Sequence, residues 1–380
     1  MDIKKIKTGR ITERELVNLF GSDTQKKSYK KNGKFVSSYK SALFKKVNKY
    51  CSIEEREKVD GRRIYEITEV YEHPLPSNFN KMNKSLYRYI VPLILSDLIN
   101  GHDQNNSIDI TVGKWAREIN MVNKNYNLLK YNREDSSKEF QISMNEINEF
   151  YDKADHMINW YIENALDYLK SAGLIIWRQV DRINIEETDG KSIIDQDGNV
   201  EVNVTLTSRQ ATKEDMDYYA QCVSIADKEA NIENAGERYY SSKAKYFQEV
   251  LKRELYKKKI KYFYSTYEAY YVHLDKCKSL LEHFGEYDRE KLVDSFNKEF
   301  SDMIVENAGI RFDKNKTKYL LNKSDYLLSF ENLCEITVDN KTEYLGSRIR
   351  EKPIEDNYNL KVNAKKKGSI TTHLKVRGLK

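Results

Sequence analysis

Proline is almost missing from this chain. Four prolines stand in 380 residues, at positions 74, 76, 92 and 353. Proline breaks a helix by removing an N–H and clashing with the preceding turn, so the empty interval from 93 to 352 permits long helices. Pro74 and Pro76 flank Leu75 and mark a boundary between folded units. Cysteine is equally scarce. Cys51, Cys222, Cys277 and Cys334 lie far apart without a C-x-x-C pair, which disfavours a zinc ribbon and predicts reduced thiols. No apolar run approaches the roughly 20 residues needed to span a bilayer, and Met1-Asp2-Ile3-Lys4 opens without an apolar signal core. A soluble, cytoplasmic protein with no membrane contact is expected.

Catalytic signatures are lacking too. No G-x-x-x-x-G-K-[ST] phosphate loop and no H-E-x-x-H occurs. The histidines at 73, 102, 156, 273, 283 and 373 are scattered, with no His-hydrophobe-His pair. The metal site of a nicking relaxase is therefore missing, as is the His-x-x-Arg of a tyrosine recombinase. Carboxylates are plentiful, but at 33% charged residues chance pairs are common, and each acidic cluster reads as helix surface. The expectation is a protein without cofactor or metal, and not an enzyme.

What the chain does have is basic charge, unevenly placed. Residues 1–75 hold 18 Lys/Arg against 11 Asp/Glu, and residues 346–380 hold 10 against 3. The total is only +6, so the centre is acidic. Basic ends suit an anionic polymer gripped at defined places. Thr12-Glu13-Arg14-Glu15 matches a helix capping box, followed by an apolar face of Leu16, Leu19 and Phe20 and a stop at Gly21. Residues 22–34 hold a short second helix. Ser37 or Ser38 caps a third, with Leu43, Val47 and Tyr50 (or Phe44) inward. Across Ser22–Tyr50 stand nine lysines (Lys26, Lys27, Lys30, Lys31, Lys34, Lys40, Lys45, Lys46 and Lys49) and one acid, Asp23. Such a density fits phosphate neutralisation. A hairpin follows: Arg56–Val59, the favoured turn Asp60-Gly61, and Arg62–Tyr71, with Arg62 and Arg63 at its tip. Helices then a hairpin is the outline of a winged helix-turn-helix, which sets one helix in the DNA major groove. The bland reading is a solvated lysine face.

Residues 77–210 repeat that outline. A helix through Asn100, kinked or begun at Pro92, precedes a short strand at Ile108–Ile110 and a helix capped by Thr111. Residues 122–148 have weak periodicity and read as an insertion. A strong helix runs from about Glu149 to Ala172, and strands at Leu174–Val180 and Val200–Leu206 are joined by a long loop. The cations here (Lys124, Lys130, Arg133, Lys153, Arg178 and Arg182) are diluted by acids, so packing or dimerisation competes with DNA contact. Trp115, Trp160 and Trp177 are expected in the core.

Residues 211–345 read as a helical unit and a candidate for homodimerisation. Thr212 and Asp215 resemble a cap, and helices are expected over Arg289–Val305 and Lys323–Cys334. The aromatic-rich stretch Arg238–Tyr271 is taken as a packing seam between helices rather than a platform for single strands. Residues 346–380, with Lys365-Lys366-Lys367, form a basic tail suited to nucleic acid.

The run Ser85-Leu86-Tyr87-Arg88-Tyr89-Ile90-Val91-Pro92-Leu93-Ile94-Leu95, with the two winged-helix outlines over about residues 10–210, resembles plasmid and phage DNA-binding proteins of low-GC Gram-positive bacteria. Tandem winged helices also resemble theta-type plasmid replication initiators. The likeness is architectural and carries no residue roles. The expected fold is mainly α with small β-hairpins (α+β): two winged helices and a helical C-terminal domain. The expected function is sequence-specific binding of double-stranded DNA, as replication initiator or transcriptional regulator. The alternatives are a non-catalytic interaction protein using its helical third, and a nuclease or nicking enzyme with a dispersed site.

Overall fold

The computed structural model describes residues 6–58, 63–100, 107–194, 199–235, 237–240, 242–285, 288–346, 348–349 and 357–363. It begins with β1 (Gly9–Thr12), α1 (Glu13–Phe20), α2 (Asp23–Asn32), α3 (Ser37–Val47), β2 (Cys51–Glu55) and β3 (Ile64–Val70). The capping box forms: the Thr12 N–H donates to Glu15 at 2.8 Å, and the Glu15 N–H returns to the Thr12 hydroxyl at 3.3 Å. A second box, Ser22 with Gln25, starts α2, and Gly33 ends it at φ 63, a left-handed turn that suits glycine. Neither Ser37 nor Ser38 caps α3. Both lie inside the helix, and Val36 at the cap offers no side-chain acceptor. The first hairpin strand also lies upstream of Arg56–Val59, because Cys51 is buried there and pairs with Val70. The strands are antiparallel in the order β1-β3-β2. Their small core contains Leu16, Val17, Phe20, Leu43, Val47, Cys51, Tyr65 and Ile67.

The body follows. It comprises α4 (Phe79–Met82), α5 (Tyr87–Asn100), β4 (Ser107–Ile110), α6 (Val112–Glu118), α7 (Lys124–Tyr131), α8 (Arg133–Phe140) and α9 (Met144–Ser171). Then come β5 (Ile175–Ile194), β6 (Asn199–Gln210), α10 (Lys213–Ala230), α11 (Glu237–Tyr240), α12 (Ala244–Tyr256) and β7 (Ile260–Tyr271). It closes with α13 (Leu274–Glu282), α14 (Arg289–Lys314), α15 (Lys323–Thr337) and β8 (Asn357–Asn363). Helix α5 passes through Pro92 instead of starting there. Losing one N–H costs about 3 kcal/mol, but Ile90, Val91, Leu93, Ile94 and Leu95 are all buried around it, and that burial outweighs the loss.

Four expectations give way in the body. Residues 122–148 are not an insertion: Tyr126, Leu128, Leu129, Ile142 and Ile147 belong to the main core. Their polar neighbours hid this, since Asn125 is buried by bonding to distant backbone rather than by being apolar. The stretch 260–271 is a strand, not a helical seam. Phe263, Tyr267 and Ala269 turn towards the helices while Tyr262 and Tyr270 turn outward, the period of two that a pleated surface needs. The long loop expected between the strands at Leu174–Val180 and Val200–Leu206 is not a loop. Ile175–Ile185 lies against β7, and Arg182–Ile194 lies against β6, so most of the supposed loop 181–199 is strand. Trp115 is fully buried, but Trp160 is 49% exposed beside Tyr161 and is not core.

The body sheet is antiparallel throughout, in the order β4-β7-β5-β6-β8. Residues 211–345 are therefore shared between two cores rather than forming one helical unit. Helices α10 and α12 cover the outer half of β5 and β7 with Cys222, Ala226, Phe247 and Val250. Helices α13, α14 and α15 join α5, α6, α7 and α9 in the main core. The protein is thus mixed α/β, with two antiparallel sheets among the described residues. Among the described residues no helix is long and apolar enough to cross a membrane.

Candidate nucleic-acid interface

Helix α2 buries no residue. It is held at its edges: the Gln25 side chain donates to the Tyr39 carbonyl at 3.3 Å, and the Tyr29 and Phe35 rings meet at 5.6 Å. Lys26, Lys27, Lys30 and Lys31 are all exposed, as is Lys34 just beyond, and none has an ion-pair partner among the described residues. Lys26/Lys30 and Lys27/Lys31 are like charges one helical turn apart, an arrangement that costs a few tenths of a kcal/mol. Lys30 and Lys31 recover part of this at the negative end of the helix.

The four lysines at α3 do not act together. Leu43 and Val47 face the core. At about 100° per residue, the opposite stripe is Ser38, Ser41, Ala42 and Lys45, all exposed. Lys49 sits in the turn just after. Lys40 and Lys46 emerge on the flanks and have work inside the fold. Lys40 Nζ bonds Glu55 at 3.1 Å and lies over the Phe44 and Tyr65 rings. Lys46 Nζ donates to the Phe20 carbonyl at 2.8 Å and closes the end of α1. Ser38, Ser41 and Ala42 carry no charge, and only their offset from Leu43 and Val47 marks them in the sequence as the uncovered face.

The hairpin is less basic than its arginines suggest. Arg56 pairs with Glu66 at 2.7 Å and Glu54 at 2.9 Å, and Arg63 lies 3.8 Å from Glu55. Arg62 and Lys365, Lys366 and Lys367 fall outside the described residues. In the body, Lys130 pairs with Asp155 at 2.7 Å, Arg178 with Glu268 at 2.5 Å, and Arg182 with Asp109. Arg133 bonds Asn148 at 2.6 Å and covers the Tyr151 ring. Only Lys124 and Lys153 of the six body cations are exposed without an ion pair among the described residues.

Groups for chemistry do not converge. Among the described residues no group of three or more His, Cys, Asp or Glu is placed to hold a metal. All four thiols are buried. Burial pushes Cys51 and Cys277 up to about 11 and Cys334 up to about 12, so they stay protonated and unreactive. The arrangement offers cationic side chains and a shallow polar helix face. No protein-family model matches the chain, and neither a curated protein nor a solved structure does.

Proposed function

We propose that the N-terminal unit is a winged helix-turn-helix that binds duplex DNA. In this reading α3 enters the major groove with Ser38, Ser41, Ala42 and Lys45, while Lys26, Lys27, Lys30, Lys31 and Lys34 hold phosphates. One observation carries it: the uncovered stripe of α3 is small and polar, and beside it stand five lysines that no acid among the described residues neutralises. The strand order β1-β3-β2 with three helices between first and second strand supports the same reading. The body supports a second, modified copy. Its strands β4, β5 and β7 lie in the same first–third–second order, with α6 after β4 and α9 before β5, and β6 with α10–α12 fills the wing. Its neutralised cations favour packing over DNA contact.

The chain then acts as a sequence-specific DNA-binding protein of a plasmid or phage, an initiator or a transcriptional regulator. Cognate sites repeated beside an origin mark the first role, and an operator overlapping a promoter marks the second. The test is duplex binding over a salt series with the chain and with its Lys26, Lys27, Lys30 and Lys31→Gln variant. The variant is expected to lower the slope of log affinity against log salt by about 0.9 for each phosphate that is no longer neutralised. Binding without salt dependence, or an unchanged slope in the variant, overturns the reading.

A further inference from the structure

A cleft of about 410 Å3 opens where the turn between α6 and α7 meets the segment after α15. Its floor is built of asparagines. Asn123 Nδ2 donates to the carbonyls of Ile336 at 2.9 Å and Asp339 at 2.7 Å, and its Oδ1 accepts the Asn125 N–H at 2.8 Å. Asn125 Nδ2 donates to the Glu343 carbonyl at 2.9 Å, and its Oδ1 accepts the Leu345 N–H at 2.9 Å. Asn340 Nδ2 donates to the Asn120 carbonyl at 3.0 Å. These amides tie the two segments together, so the floor is stiff and uncharged.

The rim is cationic. Lys114, Arg117 and Lys124 line it together with the carboxylate of Glu118, and all four are exposed. Lys114 shares Glu118 at 3.6 Å. Arg117 and Lys124 have no ion pair among the described residues, and the cleft lies at the positive end of α7. Exposed cations around a fixed polar floor suit one phosphate group bound by charge, with arginine able to grip it in two places.

Contacts link the cleft to the N-terminal unit. Arg289, at the start of α14, donates to the Glu118 carbonyl at 2.6 Å. Six residues earlier, His283 packs edge-on against Tyr71 at 4.1 Å, and Phe284 meets Phe79 at 5.4 Å. The Tyr71 N–H donates to the Tyr50 carbonyl at 2.9 Å and the Leu75 N–H to the Lys49 carbonyl at 2.7 Å. The C-terminal end of α3 is thus tied to the Tyr71–Leu75 segment that packs on His283, and the start of α14 reaches the rim of the cleft.

We infer that this cleft takes a backbone phosphate of the duplex held by α3, extending the bound surface from the N-terminal unit across the joint onto the body. The inference rests on the DNA reading above. It adds a second anchor on a surface that is acidic overall.

The test uses the full chain and its Arg117→Gln, Lys124→Gln double variant, whose changed side chains are exposed. Duplex affinity over a salt series and the length of DNA protected from hydroxyl radicals are both measured. The variant is expected to bind roughly tenfold more weakly at moderate salt, with a slope shallower by about 0.9 for the one phosphate lost. Its footprint should shorten at one end while its melting temperature stays that of the parent chain. Unchanged affinity, slope and footprint overturn the inference and leave the DNA reading standing. Absence of salt-dependent duplex binding by the parent chain removes both. If inorganic phosphate or a free nucleotide saturates the cleft at micromolar concentration while the variant's footprint keeps its full length, the site belongs to a small anion and the inference fails.

Discussion

The N-terminal unit and the body place three strands in the same order and then diverge in charge. In the first, β3 lies between β1 and β2, and in the second β7 lies between β4 and β5. The first joins its second and third strands through residues 56–63; the second inserts β6 and α10–α12 at that point. The first leaves the α2 lysines bare, whereas Arg178, Arg182 and Lys130 of the second are tied to carboxylates. The frame depends on a few buried positions. The surface over that frame carries its own charge, so a shared strand order does not imply a shared surface chemistry.

Four changes test how deep this division runs, and a pH series adds a fifth. Leu43→Ala opens a cavity in the small N-terminal core and should cost about 2–5 kcal/mol. Because that core is a cluster apart from the main one, denaturation should remove N-terminal amide protection first and keep that of α9. A single transition for both would merge the two regions. Replacing Lys45 and Lys49 with Glu should weaken duplex binding about a hundredfold. Arg178→Gln with Arg182→Gln should change it less than about threefold, since those cations are already neutralised; fluorescence anisotropy separates the two outcomes. Thr12→Ala removes one side of the α1 capping box and should cost about 1 kcal/mol, read from the first denaturation midpoint. The smallest effect concerns the joint. Burial holds the His283 imidazole below its ordinary value, against the opposing pull of Glu69 and Glu282. The neutral ring is the favoured folded form. As pH falls below about 6.5 the unfolded chain takes up the proton first, so stability at the joint declines until the folded ring also protonates. Amide exchange at Tyr71 and Leu75, corrected for intrinsic rate, should quicken between about pH 7 and 5, and His283→Gln should flatten that dependence.

The parts legible in the sequence were those set locally. The Thr12 and Thr212 capping boxes, the inward Leu43 and Val47, and the helices over Arg289 and Lys323 all follow from residues a few positions apart. The parts that were hidden depend on distant partners. Ile260–Tyr271 carries aromatics at spacings that fit either period, and only its pairing with β5 and β4 decides for a strand. Asn125 looks like a loop residue until Glu343 and Leu345 arrive to bond it. Of the candidate site, the lysines of α2 could be read from charge alone. The separate duties of Lys40 and Lys46 could not, because Glu55 and the Phe20 carbonyl are brought to them by the fold.

The long strand β5 runs from the main core, where Ile175 is buried, to the outer one, where Ile183 is buried. Its partner β7 lies 75 to 96 positions further along the chain. Closing so wide a loop before any pairing forms costs chain entropy and slows refolding. Helices α10 and α12 pack on each other within that interval, so they can assemble beforehand and act as a splint that shortens the search. A lesion between them, at Ala226 or Val250, should therefore retard the formation of the sheet as well as weaken its outer half.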